Sequence, residues 1–218
     1  MNNHSFIGSR GCDEMGRKKG PKYDAIIDAA VVVFAQNGYH NSKVSKIAQE
    51  AGVADGTIYL YFKNKEDILI SMFEEKMSIF VDRIQHEISH VESIEKKLEI
   101  MVEMHFTQLE LDPDLAIVTQ LELRQSNTNM RYKVNEVLKG YLGLIDGLLE
   151  EGMKQGLFDP GLNIRIARQI IFGAVDEVAT NWVMKERKYA LTPLASDISD
   201  MLIKGLSLKS QPELKGKG

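Results

Sequence analysis

Three hydroxyl-bearing side chains recur on one short stretch of the chain, with lysines on both sides of it. Thr57, Tyr59 and Tyr61 occupy the outward positions of the segment that runs from residue 56 to residue 61. Hydroxyl groups donate hydrogen bonds to base edges or phosphate oxygens, and lysines neutralise phosphates. The flanking lysines are Lys43, Lys46, Lys63 and Lys65. A short helix with this pattern is typical of a reader of the DNA major groove.

Two short helices joined by a tight turn are predicted to position these groups. Ser42 is expected to cap the first helix by accepting a hydrogen bond from a free backbone N–H. Gly52 follows that helix at a point where the backbone needs a left-handed conformation. Asp55 is expected to cap the second helix, and its Ile58 and Phe62 point inward at helical spacing. The pattern therefore predicts a helix-turn-helix.

A long match connects this stretch to a known family. Residues 38–68 read G-Y-H-N-S-K-V-S-K-I-A-Q-E-A-G-V-A-D-G-T-I-Y-L-Y-F-K-N-K-E-D-I and resemble the N-terminal domain of TetR-family transcriptional regulators. Further on, V-T-Q-L-E-L-R-Q-S-N and A-R-Q-I-I-F-G-A-V-D-E look like the FadR-type fatty-acid-degradation repressors of Gram-positive bacilli. This second resemblance covers most of the chain, from about Pro21 to Gly205.

The resemblance implies an all-α fold of about nine helices and a homodimeric repressor that binds a palindromic operator. A three-helix DNA-binding head would precede a helical bundle that binds ligand and dimerises through its two C-terminal helices. We predict a disordered leader at 1–14, the helix-turn-helix domain at 15–65, the ligand-binding and dimerisation domain at 66–208, and a disordered tail at 209–218. No cofactor is expected. The implied effector is a long-chain acyl-CoA that controls fatty-acid degradation genes.

Charge is divided along the chain in a way that fits this arrangement. The whole sequence has a net charge of −4, but residues 15–65 have eight Lys or Arg against four Asp or Glu. A basic N-terminal segment on an acidic body is typical of a DNA-binding head with a separate function behind it. There is one cysteine, Cys12, so no intrachain disulfide forms and a cytoplasmic, nucleoid-associated protein is expected. No apolar run is long enough to cross a membrane.

The predicted DNA contacts fall into two kinds. Thr57 and the backbone near Gly56 are expected to approach bases, whereas the tyrosines, the lysines and a basic N-terminal arm mostly hold phosphates. By family resemblance, Lys65 reaches a phosphate. The full set is Arg17, Lys18, Lys19, Ser42, Lys43, Lys46, Gly56, Thr57, Tyr59, Tyr61 and Lys65.

Apolar spacing predicts six further helices in the body. A fourth, capped by Asn64 and Asp67, runs beyond Ile88 and is the expected lever between head and body. The others are expected at 93–111, from 112 to Arg124, at 130–154, at 163–187 and from 192 to Leu208. Gly140, Gly143 and Gly147 share one face of the seventh helix and predict a close approach by a ligand chain or a neighbouring helix.

Polar groups within these apolar stripes, together with large apolar side chains, define a candidate effector site. The resemblance implies a long apolar tunnel for the acyl chain, and Arg124 and Arg131 suit the CoA phosphates because guanidinium pairs with phosphate bidentately. Another hydrophobic ligand is the alternative. The predicted set is His105, Phe106, Leu109, Leu121, Arg124, Arg131, Tyr132, Leu138, Tyr141, Leu142, Arg168, Phe172 and Asp176.

One motif suggests a different chemistry. His86-Glu87-Ile88-Ser89-His90 fits the H-E-x-x-H pattern of zinc hydrolases, in which two histidines hold the metal and the glutamate acts as base. A hydrolase also needs a third ligand and a concave site, and this motif lies on the polar side of a helix near its end. We therefore expect a solvated helix face, no metal and no catalytic residue. Two further alternatives remain. The protein could be a lipid-binding module whose DNA-binding head has lost its function, or a transcriptional activator in place of a repressor.

Overall fold

The computed structural model describes residues 19–125 and 128–207. Within these ranges the chain forms nine α-helices, which confirms the predicted all-α class. They are α1 (Pro21–Asn37), α2 (Val44–Glu50), α3 (Asp55–Ile58), α4 (Lys65–Ser89), α5 (Ile94–Leu111), α6 (Pro113–Ile117), α7 (Thr128–Lys154), α8 (Ile164–Met184) and α9 (Leu194–Leu206). The predicted leader, the predicted tail, Arg17 and Lys18 lie outside the described residues.

The helices pack into two compact units. The first contains residues up to Glu75 together with Ile117–Val134, and the second contains Lys76–Ala116 and the residues from Asn135 onward. Both α4 and α7 contribute turns to each unit. The sequence boundary between residues 65 and 66 stays a prediction, because packing units need not coincide with sequence domains.

The core of the first unit holds the helix-turn-helix in place. The side chains of Ile47 and Ile58 are completely buried, and Phe62 is 1% exposed. The Phe62 ring stacks on Tyr23 of α1 with 5.3 Å between centroids. Gly52 has a φ of 66°, so the left-handed turn predicted there is confirmed. The turn at Gly52 and these buried side chains hold the inward face of α3 in place.

Two of the predicted helix caps are wrong. The Ser42 hydroxyl lies 2.7 Å from the carbonyl oxygen of Gly38 and 3.1 Å from that of Val33. The hydroxyl is therefore directed at carbonyls at and just after the end of α1, and not at a backbone N–H of α2. Lys43 is the residue before α2 and makes no side-chain cap. Similarly, α3 begins at Asp55 itself, without a side-chain cap.

The predicted cap of α4 is confirmed. The Asp67 N–H donates to Asn64 Oδ1 at 2.8 Å, and the Lys63 N–H donates to Asp67 Oδ2 at 2.8 Å. The two side chains satisfy donors on either side of the helix start, in the manner of a capping box. The first turn of α4, which contains Lys65, is thereby fixed against the end of the helix-turn-helix.

The second unit has one apolar core formed by α4, α5, α7, α8 and α9. Helix α5 packs against both α8 and α9. The buried members of the core are Phe80, Ile84, Ile88, Ile94, Leu98, Met101, Tyr141, Ile145, Leu148, Leu149, Phe158, Ala167, Ile171, Leu202 and Leu206. Leu142 and Phe172, both predicted to line the effector site, pack against this core.

The predicted sixth helix ends earlier than expected. It forms α6 only as far as Ile117, and a π-helical turn (Val118–Glu122) and a 3-10 turn (Leu123–Gln125) follow it. A π turn has one more residue than an α turn and so rotates the side chains that follow it. Apolar spacing does not register this change, because Val118 and Leu123 are still buried.

The glycines of α7 do not mark a close approach within the described residues. A Cβ placed on Gly140 would lie 3.7 Å from Val81, an ordinary contact, and one on Gly143 or Gly147 would meet no atom within 4 Å. A close approach by a neighbouring helix of the same chain is therefore not found at these positions, and an approach by a ligand chain stays a prediction. Helix α8 also ends at Met184 instead of residue 187, because Glu186 and Arg187 both have a φ of 58°.

Candidate DNA-binding surface and effector site

The outward face of α3 and of the turn after it is open. Tyr59 is 60% exposed and Leu60 is 80% exposed, while Tyr61 is half-buried with its ring 6.2 Å from that of Tyr23. Lys43 and Lys46 on the α2 side are also exposed. This face therefore combines hydroxyls, cations and one large apolar side chain. Leu60 was not among the predicted DNA contacts, because that prediction rested on hydrogen-bonding and charged groups.

Lys65 is turned towards the head and not outward. Its Nζ donates to the carbonyl oxygens of Tyr39, His40 and Ser42 at 2.7, 2.9 and 2.9 Å. It also lies 4.7 Å from the centroid of the Tyr39 ring. Burial lowers the pKa of Lys65. All three ammonium hydrogens have an acceptor here, so Lys65 fixes the loop between α1 and α2, and the predicted phosphate contact stays a prediction.

Two further residues that were predicted to contact DNA have protein partners in the first unit. Lys19, which belongs to the predicted basic arm, pairs with Glu75 at 2.6 Å. Ser42 is 5% exposed, with its hydroxyl directed at carbonyls of α1 and the turn after it. Gly56 is exposed and Thr57 half-buried on the α3 face. The exposed candidates therefore cluster on α3 and at the start of α2.

Glu122 connects the π-helical turn to the head. Its Oε2 accepts a hydrogen bond from the Tyr39 N–H at 2.7 Å, and a Cβ on Gly38 would lie 3.6 Å from the same oxygen. Lys65 holds the carbonyl of Tyr39 from the other side. The loop between α1 and α2 is thus held through both its N–H and its C=O groups. This contact spans 83 residues of sequence, which is why spacing rules could not predict it.

Removing the Glu122 carboxylate is expected to loosen the head. Glu122→Ala leaves the half-buried Tyr39 N–H without its acceptor, and an unsatisfied group of this kind costs about 1–3 kcal/mol. We expect the free energy of unfolding to fall by that amount in a denaturant titration. Glu122→Gln is the matched control, because its amide oxygen can still accept the bond. Equal losses in both variants would contradict this role.

An aromatic cluster in the second unit surrounds His105 of α5. The centroid of its imidazole lies 5.9 Å from that of Phe80, 6.1 Å from Phe106 and 5.5 Å from Tyr141. The Tyr141 ring in turn contacts Phe172 at 6.1 Å. Four predicted effector residues therefore lie together, joined by Phe80 of α4, which was not among the predicted effector residues.

Polar groups in this cluster are strongly affected by burial. Burial lowers the pKa of His105 to about 4, so the imidazole is neutral at physiological pH. Burial raises the pKa of Tyr141, and the nearby charge of Asp176 raises it further. His105 Nδ1 lies 3.1 Å from the Tyr141 hydroxyl. The site thus offers neutral hydrogen-bonding groups within an apolar aromatic setting.

The remaining predicted effector residues divide between the two units. Arg168 pairs with Asp146 at 2.6 Å in the second unit. Leu109 is 5% exposed and Leu138 half-buried. Arg124, Arg131, Tyr132 and Leu121 belong to the first unit, where the two arginines and Tyr132 are exposed. Sequence spacing could not separate these groups, because the division falls at Ile117 and within α7 and depends on packing.

The histidines of the H-E-x-x-H pattern are exposed, His86 in the last turn of α4 and His90 directly after the helix. Their ring centroids are 5.2 Å apart. Among residues 19–125 and 128–207, no three His, Cys, Asp or Glu side chains are grouped so that they could hold a metal ion. Over the same residues, no helix has both the length and the apolarity that a membrane span requires.

Comparison with known proteins identifies both the N-terminal and the C-terminal part of the chain. Residues 26–72 match the model of bacterial regulatory proteins of the tetR family, and residues 73–205 match the C-terminal region of YsiA-like proteins. The chain belongs to the TetR family. The relatives that identify it are transcriptional regulators and not enzymes. A TetR regulator of this kind has its DNA-reading helix-turn-helix at the N-terminus, where the hydroxyl and lysine pattern lies.

One relative and two solved structures of the family match this chain over 84–88% of its length. The fatty acid metabolism regulator protein of Bacillus subtilis is 55% identical over 193 residues, which cover 88% of this chain and 100% of that protein. The structure of the fatty acid degradation regulator FadR from Bacillus halodurans superposes with a TM-score of 0.85 at 62% identity, covering 87% and 98% of the two chains. FadR from B. subtilis in complex with stearoyl-CoA gives 0.83 at 55% identity, covering 84% and 99%.

Proposed function

We propose that this TetR regulator is a homodimeric repressor of fatty-acid degradation genes, released from a palindromic operator by long-chain acyl-CoA. The main support is its 55% identity to the B. subtilis fatty acid metabolism regulator over that protein's full length. The stearoyl-CoA bound to a FadR relative supports the effector class. As a DNA-binding regulator, the protein would act on the nucleoid in the cytoplasm.

DNA reading is proposed for the exposed α3 face. Thr57 and the backbone at Gly56 would approach bases, because a short recognition helix meets base edges with its first residues. Tyr59, Tyr61 and the exposed lysines of α2 would hold phosphates. Each head has few base-seeking side chains, so specificity requires two heads on half-sites about one DNA turn apart or somewhat more.

Dimerisation is proposed for an apolar groove between α8 and α9. Its lining includes Ile166, Ile170 and Met201, which are 54%, 57% and 72% exposed. Three large apolar side chains at this exposure form a patch typical of a protein interface. In a two-fold dimer the same patch is used by both copies. The occupant we propose is therefore a second copy of α8 and α9.

The effector is proposed to bind in the second unit, with its chain among the aromatic and aliphatic side chains around Tyr141. Phe106, Leu138, Leu142 and Phe172 supply apolar surface of the kind that an acyl chain requires. The contacts of Arg124 and Arg131 with CoA phosphates stay predictions. A different hydrophobic ligand is the second candidate, because apolar rings by themselves do not distinguish one chain from another.

Coupling between the two functions is proposed to pass through α4. This helix contributes residues to both packing units, so a change in its packing around the effector would alter its first turns. Those turns contain Lys65, which holds the loop between α1 and α2. Effector binding would then change the spacing of the two heads and reduce operator affinity.

Selection of bound DNA from a random pool, with and without a series of acyl-CoA esters, tests this function. We expect a palindromic sequence to be enriched and long-chain esters to prevent its recovery, whereas CoA alone does not. Recovery that improves with ester would indicate an activator-like response. A palindrome without any ester effect would reject the acyl-CoA effector, and no enriched sequence would reject DNA regulation.

A further inference from the structure

One polar atom of the effector site has no hydrogen-bond partner. His105 keeps part of its surface exposed, but its Nε2 is buried and lacks a partner among the described residues. Only one other side-chain atom in this part of the chain shares that condition, and it belongs to Asp146, whose second oxygen pairs with Arg168. A buried polar group without a partner costs about 1–3 kcal/mol. Such a group at a binding site calls for a partner from outside the chain.

The surroundings of His105 restrict which partner fits. The rings of Phe80 and Phe106 meet the imidazole edge-on, at centroid distances of 5.9 and 6.1 Å. An ionised group placed against such rings would lose its hydration without gaining a counter-charge. A neutral polar group attached to an apolar chain would not pay this cost. The surroundings therefore favour an uncharged oxygen over a carboxylate.

The contact with the Tyr141 hydroxyl is compatible with a ring proton on Nε2. The hydroxyl lies 3.1 Å from Nδ1, and a neutral imidazole has one donor and one acceptor nitrogen. When the hydroxyl donates to Nδ1, the hydrogen of the ring lies on Nε2. In this tautomer Nε2 is a neutral donor without an acceptor. Its complement is a carbonyl oxygen.

We propose that His105 Nε2–H donates a hydrogen bond to the thioester carbonyl oxygen of the acyl-CoA effector. The inference rests on the proposed function, and it specifies where the effector's chain joins CoA. His105 would hold that junction against Phe80 and Tyr141, so that the chain extends among the apolar side chains. It also gives the site a means to distinguish a thioester from a free fatty acid, whose carboxylate is charged at neutral pH.

The test compares two ligands that differ only at the carbonyl. Titration calorimetry on the full-length protein would measure the affinity for stearoyl-CoA and for S-octadecyl-CoA, the thioether in which a methylene replaces the carbonyl. We expect the thioester to bind about tenfold more tightly, as for a hydrogen bond made in an apolar site. Equal affinities in the unmodified protein would overturn the proposal without any variant.

Variants then show whether His105 is the group that reads the carbonyl. His105→Phe is expected to bind both ligands equally, and His105→Gln, which keeps an N–H donor, to recover part of the preference. His90→Phe, at an exposed position directly after α4, is the matched control and should keep the full preference. A preference that persists in His105→Phe would overturn the proposal. If neither ligand binds the unmodified protein, the acyl-CoA effector itself is rejected.

Discussion

An aspartate in place of Ile170 is expected to convert the proposed dimer into monomers and to weaken operator binding at least about 100-fold. Ile170 is 57% exposed and lines the apolar groove between α8 and α9. Both copies in a two-fold interface would bury the new charge, and each buried, unpaired charge costs several kcal/mol. A 100-fold loss corresponds to about 2.7 kcal/mol. Analytical ultracentrifugation and operator titration measure the two effects.

Leu111→Asp is the matched control for this substitution. Leu111 is 77% exposed at the end of α5 and does not line the groove. The same change of charge there should leave the dimer and its operator affinity within about twofold of the unmodified protein. A dimeric Ile170→Asp variant, or equal losses in both variants, would show that the interface lies elsewhere.

Truncating Phe62 to alanine is expected to destabilise the head by about 3–5 kcal/mol, the usual cost of removing a buried phenylalanine. Phe62 is 1% exposed and stacks on Tyr23 of α1. It closes the hydrophobic core under α3, so its loss would leave the recognition surface disordered. Denaturant unfolding measures the loss of stability, and operator titration should find no specific binding at the unmodified protein's working concentration.

Leu60→Ala is the matched control, because Leu60 lies on the outward side of the turn that contains the inward Phe62. Leu60 is 80% exposed, and surface substitutions usually change stability by no more than about 0.5 kcal/mol. We expect unchanged unfolding, with any loss confined to DNA binding. A Phe62→Ala variant as stable as Leu60→Ala would contradict the packing described here.

Local sequence rules were sufficient for the parts of the head that depend on neighbours in the chain. Gly52, with its positive φ, and the inward Ile58 and Phe62 follow from backbone sterics and helical spacing. The capping box of Asn64 and Asp67 also involves residues close in sequence. These interactions form within one or two turns, so their residue types are enough to predict them.

Contacts between distant residues were not predictable in this way. Ser42 was expected to cap α2, but its hydroxyl satisfies the end of α1 instead. Glu122, the last residue of the π-helical turn, accepts a hydrogen bond from Tyr39 across 83 residues of sequence. Within the effector site, the stripes of α5 and α7 predicted His105 and Tyr141 separately. Their mutual hydrogen bond, and the Nε2 atom without a partner among the described residues, appear only when the helices are packed.

Reciprocal titration tests the central claim, an acyl-CoA that releases operator, most directly. One arm measures operator affinity with and without saturating stearoyl-CoA, and the other measures stearoyl-CoA affinity with and without saturating operator, below the concentration at which the ester forms micelles. Linkage requires both affinities to fall by the same factor, which for coupled sites is about 5–150-fold. We predict equal factors of at least about tenfold. Loss of operator affinity with an unchanged affinity for stearoyl-CoA would contradict the account.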